Sequence, residues 1–136
     1  TICIDPYLSD VVNRVVKRPR MVKAPFLPEE LKSDVVICTH KHLDHLDIDA
    51  IPCMRKENML FLAPKDAEKT LLECGVMHYS AFDEGTTEKI GNFELCAVYA
   101  DHTVPAVGVI IKHCGVTLYF SRSACTFVRV ETESLM

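Results

Sequence analysis

The run Thr39-His40-Lys41-His42-Leu43-Asp44-His45 sets three imidazoles and a carboxylate within positions 40–45, directly after an apolar stretch. The whole chain has 6 histidines, so half of them stand in this one segment. Neutral imidazole nitrogen and carboxylate oxygen together suit a borderline divalent ion, zinc or manganese with iron as a further option. On an extended segment alternate side chains share a side, which lets His40 and His42 face one point. A turn after them brings Asp44 and His45 to a second point beside it, so one or two ions are expected. The nearest thiol, Cys38, lies in an apolar context that favours core packing, and a closed thiolate site for structural zinc is not indicated. The alternative is a solvated polar loop that holds no ligand.

The elements that must position this segment follow from the patterning. Asp34 to Thr39 is a nearly continuous β-branched run, the pattern of a strand buried on both faces, and it leads straight into His40. Thr1 to Asp5 reads as an earlier strand stopped by Pro6. Between them, Tyr7 to Lys32 is a long connection whose helical spacing is confined to Leu8, Val11, Val12, Val15 and Val16. Asp47 caps a short helix over Ile48 to Met54, limited by Pro52. Met59 to Ala63 is a strand, and Pro64 opens a helix through Cys74 that Gly75 stops. Four further strands are expected at Thr86 to Ile90, Phe93 to Tyr99, Val107 to Lys112 and Val116 to Ser121. His78 reads as a loop residue and His113 as a turn residue. The fold class is α/β, a layered α+β arrangement with a β-rich second half.

The composition bounds the functional classes. Of 136 residues 49% are apolar and 25% charged, with a formal charge of −4, which fits one domain or a piece of one and excludes coiled-coil, collagenous and disordered classes. The basic cluster is Arg14, Lys17, Arg18, Arg20 and Lys23; of these Lys17, Arg18, Arg20 and Lys23 read first as a solvated loop, with a phosphorylated sugar acid as their alternative ligand. No nucleic-acid partner is expected from so weak a basic balance. No membrane partner is expected either, since no apolar run approaches the roughly 20 residues of a span. The 7 cysteines are read as buried, reduced thiols, and with no export signal in view a cytoplasmic location is expected.

His40-x-His42-x-Asp44-His45 after a hydrophobic strand resembles the signature of the metallo-β-lactamase superfamily. Asp5-Pro6-Tyr7, Pro25-Phe26-x-Pro28 and Pro64 opening a helix are similar, more narrowly, to its L-ascorbate-6-phosphate lactonase-like branch. The resemblance implies an αββα sandwich of which residues 1–136 form a single partial domain. It covers residues 1 to about 121, and the tail 122–136 departs from the pattern. It also implies a third imidazole, which falls on His102 after the Phe93 to Tyr99 strand; the residues alone also allow a structural or substrate-facing His102. Asp44 and His45 would hold a second ion, with Asp44 orienting or deprotonating the attacking water. Asp5 would orient ligands from behind them.

The resemblance implies a metal-dependent hydrolase that uses a metal-activated water, on a sugar lactone or related ester. Where the pattern would run into Ser-Gly-Asp, this chain has Ser121-Arg122-Ser123, which removes a bridging carboxylate. A truncated, catalytically weak or inactive relative that only binds a metal is therefore the second expectation. The chain reads as starting just after the fold's first strand pair, and Arg122 onward as the product of a shifted frame or truncation. The expected partner is a small-molecule substrate, with homo-oligomerisation through exposed sheet edges.

Overall fold

The structure is a computed structural model that describes residues 1–121 and, for the backbone, 127–131. It divides into two compact units, residues 1–81 and 82–136. The sequence expectations for Arg122, Ser123, Ala124 and Cys125 fall outside the described residues.

The first unit is built on a four-stranded parallel sheet of β1 (Ile2–Ile4), β2 (Val35–Ile37), β3 (Leu60–Ala63) and β4 (His78–Ala81), in that order. Ile2 pairs with Val35, Val35 with Leu60 and Leu60 with His78, so the strands start in near alignment. All three residues of β2 are buried, as its unbroken β-branched pattern requires. Helix α1 (Val11–Val16) lies in the long β1–β2 connection, and α2 (Glu68–Glu73) in the β3–β4 crossover after a 3-10 turn at Lys65–Ala67. The core gathers Val36, Cys38, Leu46, Ile51, Phe61 and Leu71. His78 therefore belongs to a strand rather than a loop. The four residues His78-Tyr79-Ser80-Ala81 lack an apolar alternation, and only the parallel pairing with β3 draws them into the sheet.

The second unit is an antiparallel meander of β5 (Thr87–Ile90), β6 (Phe93–Tyr99), β7 (Val107–His113), β8 (Val116–Phe120) and β9 (Phe127–Glu131), each paired with the next. The β7–β8 hairpin closes on Cys114 and Gly115, with φ of 49° and 76°, the left-handed pair that a tight two-residue turn demands. His113 is the last residue of β7, paired with Val116 and stacked on Phe93 at 4.1 Å between ring centres, not a turn residue.

Asp47 shows how the first unit is tied. Only 1% exposed, its carboxylate accepts the backbone N–H groups of Leu8 (3.0 Å) and Ser9 (2.8 Å), the Ser9 hydroxyl, and the N–H groups of Asp49 and Ala50. The local cap expected from the sequence is present, but regular helix shrinks to a 3-10 turn at Ile51–Cys53 around Pro52. The bonds to Leu8 and Ser9 reach across about forty residues of sequence.

The thiols do not all behave as expected. Cys38 and Cys74 are buried and Cys3 and Cys96 half-buried, but Cys53 and Cys114 are exposed, one on the outer side of the 3-10 turn and one at the hairpin tip. Burial pushes the thiols of Cys38, Cys74 and Cys3 above the ordinary cysteine range.

Two outcomes follow. Asp47→Ala leaves the buried N–H groups of Leu8 and Ala50 without acceptors and should lower unfolding stability by about 3 kcal/mol, read as a lower denaturant midpoint at unchanged slope. Brief alkylation of the folded chain at pH 8, mapped by peptide mass spectrometry, should mark Cys53 and Cys114 first and Cys38 only after unfolding, because Cys38 offers neither access nor thiolate.

Candidate metal centre

A parallel sheet gathers the carboxyl ends of its strands on one edge, where open α/β sheets place their ligands. Here β1 delivers Asp5, β2 delivers Thr39 and the histidine segment, and β3 leads to Asp66. The Asp5 N–H donates to the Ile37 carbonyl at 2.8 Å and the Cys38 N–H to the Leu62 carbonyl at 2.9 Å, so the ladder runs right up to the site.

Asp5 sits at φ 50°, a left-handed conformation that aspartate tolerates better than most side chains. Its carboxylate meets the end of β2. Oδ1 accepts the Thr39 N–H at 2.8 Å; Oδ2 accepts the Thr39 hydroxyl at 2.8 Å and lies 2.7 Å from His45 Nδ1. Thr39 Oγ1 is in turn 3.0 Å from His40 Nδ1.

The histidine segment does not continue as a strand. Both the His45 and Leu46 N–H groups donate to the His42 carbonyl, at 2.9 and 2.7 Å, which closes a turn. The turn expected after His42 is therefore present, while residues 39–42 leading into it bend rather than run extended. The rings of His40 and His42 meet edge-on with centres 4.9 Å apart, and those of His40 and His45 lie 4.0 Å apart. Imidazole nitrogens of His40 and His42 come within 4.8 Å of one another, a separation one ion can span. Lys41, between them, turns outward and pairs with Asp66 at 3.0 Å.

The hydrogen bonds place a proton on two of the ring nitrogens. The Thr39 hydroxyl has one proton and gives it to Asp5, so it can only accept from His40, which puts a proton on His40 Nδ1. The Asp5 carboxylate can only accept, so His45 Nδ1 carries a proton as well. His40 and His42, whose ring nitrogens approach closely enough for one ion and of which His40 is held from behind at Nδ1, fit a metal. Asp44 lies beside them, its carboxylate 3.4 Å from His45 Nε2 and its side chain 55% exposed.

His102 lies in the second unit, half-buried in the segment between β6 and β7. Thr39 is the participant that sequence reasoning gave no role. A hydroxyl immediately before the first imidazole was its only signal, and that signal acquires meaning only once Asp5 stands opposite.

Comparison with known proteins agrees with this architecture. A protein of Archaeoglobus fulgidus described as a metal-dependent hydrolase is 26% identical over 96% of this chain and 57% of its own length. A solved structure from Veillonella parvula, described as "a possible metal-dependent hydrolase", superposes with a TM-score of 0.73 at 20% identity, over 88% of this chain and 55% of that one. An isothiocyanate hydrolase from Delia radicum gut bacteria superposes with a TM-score of 0.68 at 22% identity, over 87% of this chain and 54% of that one. The chain thus spans little more than half the length of these relatives. The model of the Beta-lactamase superfamily domain matches residues 1–131, and the chain belongs to that family.

Proposed function

We propose that this chain carries the metal site of a metal-dependent hydrolase acting on a sugar lactone or a related small ester, in the manner of the lactonase-like branch. The observation that carries the reading is the Asp5–Thr39 network, which engages Nδ1 of both His40 and His45 at the end of the strand and so holds the two rings in place. In this reading His40 and His42 hold the first ion and His102, beyond β6, completes its set, while Asp44 and His45 serve a second. An all-nitrogen and oxygen donor set suits zinc or manganese, with iron as a further option. When bound, such an ion supplies Lewis acidity and lowers the pKa of water toward neutrality. The protein's own work is the rest. Asp5 and Thr39 hold the imidazoles, and the Lys41–Asp66 pair braces the loop from outside. Asp44 orients the attacking water and takes its proton.

His42→Ala should abolish tight metal binding, measured as metal per protomer after dialysis, together with any hydrolysis of a sugar lactone. Stoichiometric metal in the unaltered chain with no turnover of lactone or phosphodiester would overturn the hydrolase reading in favour of a metal-binding relative. Asp5→Asn retains a side chain that tolerates the left-handed backbone while removing the charge behind His45. It should weaken metal affinity about 10- to 100-fold in competition with a chelating dye, with folding stability nearly preserved, whereas Asp5→Ala adds backbone strain and should lose both.

A further inference from the structure

A cleft of about 650 Å³ opens in the first unit between the start of α1 and the loop after it, with Pro25, Phe26 and Leu27 on its apolar wall. Arg20 lines it and is held from behind. Its Nη1 donates to the carbonyls of Tyr7 (2.8 Å) and Ser9 (3.1 Å), its Nε donates to that of Val22 (3.1 Å), and its guanidinium lies 4.1 Å over the Tyr7 ring. Those bonds use three of the five guanidinium protons. The two on Nη2 have no acceptor among the described residues. Lys23 lines the same cleft, with no ion pair among the described residues.

The charges choose the ligand. Residues 11–27 contain five cations and no acid, yet Asp10 and Glu30 also line the cleft, so its four charged side chains sum to zero. Glu30 is engaged, its carboxylate accepting the Leu27 N–H at 2.6 Å. A dianion would meet this mixed lining at a disadvantage. A single negative charge can be met by Arg20 Nη2 and Lys23 Nζ, and an apolar body by Phe26 and Leu27. We propose that the cleft binds a small organic monoanion, a carboxylate head on an apolar body, with Arg20 as the pre-organised anchor. An arginine already fixed by backbone carbonyls loses little freedom when the anion arrives, which is the condition for useful affinity at a solvent-facing site. The site stands in the first unit alone and does not rest on the metal.

The test is a titration of the isotope-labelled 136-residue chain, in chelator throughout, with sodium octanoate below its micellar concentration, followed by amide chemical shifts. Acetate, octylammonium and octyl phosphate serve as comparisons. Saturable shifts confined to residues 8–30 are expected, with octanoate binding at least tenfold tighter than any comparison. Arg20→Gln should cost tenfold or more and Lys23→Gln about threefold. If Arg20→Gln disorders the loop, Lys23→Gln and Phe26→Asp decide, since neither side chain carries a hydrogen bond among the described residues. Octanoate binding unchanged in both, or no tighter than acetate, overturns the site. Tighter binding of octyl phosphate overturns the monoanion.

Discussion

The left-handed turn at Asp5 is the constraint on which the first unit's chemistry depends. A strand-end residue in ordinary extended geometry would point its side chain to one face of the sheet. At φ 50° the carboxylate swings instead across the end of β2, where it takes the Thr39 N–H, the Thr39 hydroxyl and the His45 ring. Thr39 relays the same carboxylate to His40. One oxygen pair thereby governs two imidazoles. The strained backbone is maintained by the Asp5 N–H bond to Ile37 and by Pro6, which follows at once.

Much of this was legible in the sequence, for physical reasons that differ by element. The β-branched run before His40 could be read as a buried strand because burial on both faces leaves no room for polar alternation, and β2 is buried throughout. The helix after Pro64 was marked at both ends, by proline at its start and by Gly75 at φ 83° beyond its stop. By contrast β4 was invisible, since His78, Tyr79 and Ser80 have no pattern of their own and are strand only because β3 offers them a ladder. Tertiary pairing overrode local preference there.

The site divides in the same way. Histidine and aspartate spacing pointed to candidate ligands and to a turn after His42, and that turn is formed. The departure is upstream of it, where residues 39–42 bend as the strand ends instead of continuing extended through His42. The exposed thiols have a similar origin. Cys53 follows Ile51 and Pro52 and precedes Met54, yet a 3-10 turn presents it to solvent, and Cys114, between His113 and Gly115, is exposed at the hairpin tip.

Asp47 completes the logic that Asp5 begins. Asp5, on the segment after β1, binds Thr39 and His45 on the segment after β2; Asp47, on that second segment, binds Leu8 and Ser9 back on the first. Two carboxylates thus exchange across the same pair of loops in opposite directions. Each satisfies backbone groups that would otherwise be buried without partners, so neither loop can move without orphaning donors in the other. The ligand segment lies between Thr39 and Asp47, fastened at both ends, with the Lys41–Asp66 pair on its outer side. A segment fixed in this way meets an incoming ion already shaped, and the free energy of coordination need not first order the loop. The same fastening fixes Ser9, whose carbonyl is one of three that hold Arg20 in the adjoining cleft, so the hydrogen bonds that tie the two loops also support the Arg20 wall of that cleft.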